Sequence, residues 1–188
     1  LHAKSINNLK SKNIFKSVES EVLPGSDLNT KVININIVEK PTGEIMAGAG
    51  FGTEGGTVGF SVSENNFMGA GVKLSLALRI TEDTIRGNFT TLTPNYKYSG
   101  KSLSTNIQSD VTDKMSESGY EATKTGFSVG TSIEQYEDLF FNPKFSTYYE
   151  HLSTNSTASS NLKKQAGDYF ETSFSYNLDY DKRNQKYQ

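Results

Sequence analysis

The sequence predicts an all-β fold built mainly from one antiparallel sheet of barrel type, and three observations carry that reading. The first is a strict period of two. Val72, Leu74, Leu76, Leu78 and Ile80 alternate with Lys73, Ser75, Ala77, Arg79 and Thr81, and Phe170, Thr172, Phe174, Tyr176, Leu178 and Tyr180 alternate with Glu171, Ser173, Ser175, Asn177 and Asp179. Such alternation puts one set on each face of a sheet, one oily and one wet. The second is strand length: most segments reach the roughly 9–11 residues that a tilted membrane-crossing strand takes. The third is the connections, which alternate between compact turns with aromatic neighbours and longer polar loops, the end-to-end asymmetry of barrels that cross a membrane. A lipocalin-like soluble barrel also alternates, with its apolar residues inward, and a β-sandwich does so over shorter strands.

The elements follow in order. Ala3, Ile6 and Leu9 have helical spacing, and Asn13 can end that helix. Phe15 to Leu23 reads as a strand with Val18 and Val22 on one face, Pro24-Gly25-Ser26-Asp27 as a turn, and Lys31 to Lys40 as a second strand in which Ile33, Ile35 and Ile37 share a face. Residues 1–41 are thus the tail of a small α+β module, too short to bury a core of its own, with Pro41-Thr42 as a hinge. From Gly43 onward the chain reads as all-β, with strands at 43–53, 57–66, 71–81, 84–93, 101–111, 121–134, 143–153 and 168–180. Turns fall at 65–71, 93–100 and 135–138, and long polar loops at Thr112–Tyr120 and Thr154–Asp168.

Composition narrows the function classes. The 188 residues carry 19 basic and 21 acidic side chains, with no basic stripe that would suit nucleic acid. Mean hydropathy is −0.55, and no apolar run approaches the roughly 18 residues of a membrane-spanning helix, a test that barrel strands escape. Without cysteine, disulfides and thiol chemistry are excluded. His2 and His151 are far apart and read as exposed polar residues, so no catalytic, metal or cofactor site is expected. The pairs Glu82/Asp83 and Glu137/Asp138 read as solvated turn charges. Gly48, Gly50 and Gly52 mimic a phosphate loop, yet Gly55-Gly56 closes them into a hairpin and no helix follows. Phe60, Phe67, Phe89, Tyr96, Tyr98, Phe127, Phe145, Tyr149, Phe174 and Tyr176 read as lipid-facing or girdle residues, while Lys73, Arg79, Lys124 and Glu134 fall on the polar, lumenal face.

Several segments resemble a known family. Glu39-Lys40-Pro41-Thr42-Gly43 matches an E-x-P-T-G junction. Gly48-Ala49-Gly50-Phe51-Gly52 matches a glycine-rich first barrel strand, and Glu64-Asn65-Asn66-Phe67-Met68-Gly69-Ala70-Gly71 matches an E-x-N-F/L-x-G-x-G turn. These are features of the BamA family, the central subunits of bacterial β-barrel assembly machinery. Ile6 to Lys10 with Ile14 to Val18 resembles the helix and following strand of that family's last POTRA domain. Thr93-Pro94-Asn95-Tyr96 resembles its N-P-Y/F turn with Thr in place of the leading Asn, and Tyr176 to Arg183 its eighth strand and turn. The likeness is strongest over 39–71 and weaker beyond Gly100. The family's V-R-G-F loop motif would lie after Gln188.

The resemblance implies an all-β transmembrane antiparallel β-barrel, its N-terminal strands only, about eight of about sixteen. Residues 1–41 would form the C-terminal part of a periplasmic POTRA domain and 42–188 the N-terminal half of the barrel. It implies no enzyme activity and no cofactor. The expected function is folding and inserting barrel proteins into the bacterial outer membrane through a weak lateral seam at strand 43–53, with Gly48, Gly50, Phe51 and Gly52 as its gate residues. Glu64, Asn66, Phe67, Gly69 and Gly71 carry the family turn. Unfolded outer-membrane proteins, periplasmic lipoproteins and chaperones, and outer-membrane lipid are the expected partners. A two-partner secretion or translocation-assembly transporter is the alternative, and a passive porin-like channel a further one that would not need residues 1–41. For the glycines, barrel curvature or close packing is the plainer explanation.

Overall fold

A computed structural model describes residues 2–27, 29–52 and 55–182. Thr53, the last residue of the first expected barrel strand, and Arg183, the last of the segment matched to the eighth strand and its turn, lie outside the described residues. The chain divides into two compact units, Leu1–Gly43 and Glu44–Gln188.

In the first unit, α1 (His2–Ser11) precedes the antiparallel pair β1 (Phe15–Pro24) and β2 (Lys31–Glu39). The helix ends where Asn13 takes a φ of 54°, a left-handed conformation that asparagine tolerates. Ile6, Ile14 and Val18 are buried and form the small core. Ile33, Ile35 and Ile37 stand opposite Val22, Ser20 and Val18 and stay exposed. The strand runs one residue into the expected turn, which Gly25 closes by donating its N–H to the Thr30 carbonyl at 3.0 Å. His2 departs from expectation: it is half-buried, and its Nε2 is buried without a hydrogen-bond partner among the described residues.

The second unit is a single eight-stranded antiparallel sheet in sequence order. Its strands are β3 (Gly43–Gly52), β4 (Gly55–Phe67), β5 (Val72–Thr81), β6 (Thr84–Thr93), β7 (Ser102–Lys114), β8 (Tyr120–Tyr136), β9 (Leu139–Thr154) and β10 (Gly167–Tyr180). β3 and β10 are its two edges, so the sheet is open. Register carries each face across the sheet: Phe60 pairs with Leu78, Leu76 with Phe89, Phe89 with Ile107, Ile107 with Phe127, Val129 with Phe145 and Phe145 with Phe174. These side chains remain exposed, so the apolar face has no packing partner among the described residues.

Three differences from the sequence reading have physical causes. The β7–β8 hairpin extends to Lys114 and Tyr120, where Thr112, Asp113 and Lys114 pair with Ala122, Glu121 and Tyr120. Lys114 there lies 3.6 Å from Asp83, so Asp83 is not merely a solvated turn charge. The loop after β7 shrinks to 115–119, shorter than the 94–101 connection at the other end, and the expected loop asymmetry survives mainly in the last hairpin. β9 begins at Leu139, before Pro143. Proline lacks an N–H, and the β8–β9 ladder accordingly skips from Gly130/Lys144 to Ile133/Phe141. The region from Gly43 is also not purely β. A short helix α2 (Ser160–Gln165), capped by Ser159 Oγ accepting the Leu162 N–H at 3.3 Å, lies in the β9–β10 loop, and a 3-10 turn covers Tyr96–Tyr98.

Candidate functional site: the β3 edge and the polar face

β3 reads Gly-Glu-Ile-Met-Ala-Gly-Ala-Gly-Phe-Gly and is exposed along its whole length. Its hydrogen-bonded neighbour in the sheet is β4, which leaves its other edge of backbone N–H and C=O groups free among the described residues. Period two places Gly48, Gly50 and Gly52 on the face of Met46, and Ile45, Ala47, Ala49 and Phe51 on the other. A β-carbon added at Gly48, Gly50 or Gly52 would meet nothing within 4 Å, so close packing within this sheet does not demand these glycines. What they do is remove side-chain contacts and loosen the strand, each at about 0.5–1 kcal/mol relative to alanine. Phe51 is 96% exposed. Its ring edge lies 3.4 Å from where a β-carbon of Gly56 would stand, across the hairpin.

The second group of expected residues lies at the far end of β4 and builds a turn. Glu64 Oε1 accepts the Asn66 N–H at 2.7 Å, and Asn66 Oδ1 accepts the Gly71 N–H at 2.8 Å. The Gly69 N–H closes the turn onto the Asn66 carbonyl at 2.9 Å. Gly69 and Gly71 hold φ of 69° and 67°, a region in which a β-carbon is strained. A register shift between Glu64 and Phe67 accompanies the turn. Glu64, Asn66, Gly69 and Gly71 therefore converge on one another, at the end of β4 opposite its hairpin with β3. The gate glycines and the turn are two separate sites.

The polar face carries a row of charges running across the strands. Register aligns Arg79, Arg86, Asp110, Lys124 and Glu150 on β5 to β9. Lys124 Nζ lies 2.8 Å from Glu171 and 3.7 Å from Glu150, and sits 5.1 Å above the Tyr148 ring. Lys73, Arg79, Lys124 and Glu134 all fall on this face, as the alternation indicated. Arg86, Asp110 and Glu150 join them only through register, which links strands distant in sequence and leaves no local signal, while Glu171 lies on the polar side of its own alternation and gains from the fold only its pairing with Lys124. On the apolar face, His151 Nδ1 lies 2.6 Å from Asp168 Oδ1, which also accepts the Tyr149 hydroxyl at 2.7 Å. His151 is thus exposed as expected, but partnered. Among the described residues no group of three or more His, Cys, Asp or Glu could hold a metal ion.

Comparison with known proteins gives a matching picture. The model of the Omp85 superfamily domain matches residues 66–188. Among solved structures, BamA from Haemophilus ducreyi lacking POTRA domains 1-3 superposes with a TM-score of 0.74 at 20% identity, over 98% of this chain and 38% of that one. This chain therefore spans well under half of that relative, and at this identity the likeness is one of fold. The open eight-stranded sheet corresponds to part of that protein's barrel. No curated protein sequence gives a significant match.

Proposed function

The chain belongs to the Omp85 superfamily, and on that footing we propose that it forms the N-terminal half of the barrel of an outer-membrane protein assembly factor. In this reading residues 1–41 are part of a periplasmic POTRA domain and the sheet lies in the bacterial outer membrane, its apolar face against lipid. The protein folds and inserts β-barrel proteins, without cofactor or nucleotide, by offering β3 as a template. The observation that carries the reading is the run Gly48, Gly50 and Gly52 in β3, where an added β-carbon would meet nothing within 4 Å. An unpaired strand edge recruits another strand through backbone hydrogen bonds, which tolerates many client sequences. The three glycines weaken β3, so its pairing at a seam exchanges readily for pairing with a client. Unfolded outer-membrane proteins are the clients, with periplasmic lipoproteins and chaperones as partners.

A related secretion transporter, of two-partner or translocation-assembly type, is the second reading. The charged and hydroxyl-rich polar face, which would suit a lumen that passes substrate, favours it. A disulfide that locks β3 to the final barrel strand separates the two in proteoliposomes of the full-length protein. Loss of barrel-protein assembly in the locked form, restored by reduction, supports the assembly reading. Undiminished assembly in the locked form sinks it.

A further inference from the structure

The polar face sets two arginines in direct opposition. Register pairs Arg79 of β5 with Arg86 of β6. Residues placed so carry β-carbons about 4.5–5.5 Å apart, where like charges repel. One of them has a counter-charge: Asp110 lies 3.6 Å from Arg86 Nε. Arg79 has no ion pair among the described residues. Of the nearby turn carboxylates, Asp83 pairs with Lys114, and the Glu82 carboxylate lies beside Gly55. Arg79, Arg86, Thr81 and Thr84 bound a small cavity of about 60 Å³, room for a few waters or one small oxyanion. Thr81 donates its hydroxyl to the Thr84 carbonyl at 3.4 Å, which fixes its oxygen at the cavity's rim.

We propose that Arg79 and Arg86 form a binding site for one oxyanion on the polar face, with Asp110 setting its affinity by competing for Arg86. The planar guanidinium fork fits the oxygens of a phosphate or a carboxylate two at a time. Arg79 also lines the depression that runs along Met46 to Gly52 of β3, so the site borders the candidate gate strand, and it holds for either reading of the protein's function.

The test titrates the full-length protein in detergent with inorganic phosphate and, separately, with acetate, following saturable shifts in its unfolding temperature. Saturation by phosphate alone assigns the site to phosphoryl groups, by acetate alone to carboxylate-bearing ligands, and by both to oxyanions of either kind. Arg79→Gln and Arg86→Gln each weaken binding by about tenfold or more, since each removes charged hydrogen bonds to the anion. Asp110→Asn strengthens binding several-fold because it releases Arg86. That gain cannot come from damage to the fold, so it carries the test even where a glutamine variant folds poorly. No saturable shift with either anion in the wild type overturns the proposal. So do unchanged affinity in both glutamine variants and weaker binding in Asp110→Asn.

Discussion

Two glycines of the barrel sheet face opposite circumstances. A β-carbon at Gly126 would run into the Thr147 carbonyl and the Tyr148 ring, which lies over it beneath Lys124. One at Gly48 would meet open space. Gly126→Ala is therefore expected to lower stability by about 1–3 kcal/mol through overpacking, whereas Gly48→Ala raises it by up to about 1 kcal/mol through backbone restriction. Urea unfolding of both variants in lipid vesicles checks the pair, and equal effects would contradict this account. At the β4–β5 turn, Gly71→Ala places a β-carbon at a φ of 67° and costs about 1–2 kcal/mol. Asn66→Ala costs about 1 kcal/mol through the lost acceptor for the Gly71 N–H. In the structure Met68, Gly69 and Gly71 take this turn's left-handed backbone, and the turn was visible in the sequence as an Asn- and Gly-rich connection. The crowding at Gly126 was not, since it depends on a neighbour on the next strand.

Among the elements, the central strands were the most legible. Val72 to Thr81 has one face on each side of the sheet, and its alternation states as much. β9 was read short because Pro143 interrupts the ladder in the sheet's interior, where proline is unexpected. α2 carries no sequence signal: Leu162 is its one large apolar residue, so no helical period stands out. The loop holding it is fastened to the β7–β8 turn. Asn155 donates its backbone N–H to the Gly119 carbonyl at 2.9 Å and its side-chain amide to the Met115 carbonyl at 3.2 Å. Its Oδ1 also accepts from the Thr157 N–H at 2.8 Å. Asn155→Ala is expected to speed proteolytic nicking within 155–166 while leaving global unfolding nearly unchanged, because the clasp joins loops rather than strands. Nicking at the wild-type rate would show that the clasp does not order the loop. For β3, its glycine-rich composition flagged it, while the open space around Gly48, Gly50 and Gly52 could come only from the fold.

At the scale of the molecule, the two faces of the sheet answer to two solvents. One exposes mainly Phe, Leu, Ile and Val, with Tyr149, His151 and Asp168 joined toward one end of it, and the other carries a net of ion pairs and hydroxyls. Neighbouring residues on β7 discriminate the faces sharply, since Ile107 pairs with Phe127 on the apolar side and Gln108 with Gly126 on the polar one. Ile107→Lys is expected to cost about 2–4 kcal/mol in a bilayer if it lies near mid-depth, and Gln108→Lys little. Reversible unfolding from vesicles measures both, and the opposite order would put lipid on the wrong face.

The claim on which the rest depends is that β3 offers its edge to an incoming strand. Photoreactive residues placed one at a time along β3, from Ile45 to Gly52, and at Ile107 as a mid-sheet control, test it in the full-length protein during assembly of a barrel client. The account predicts crosslinks to the client's final strand from β3, stepping in register along it, and none from Ile107. Crosslinks absent from β3, or equally strong from Ile107, would contradict it.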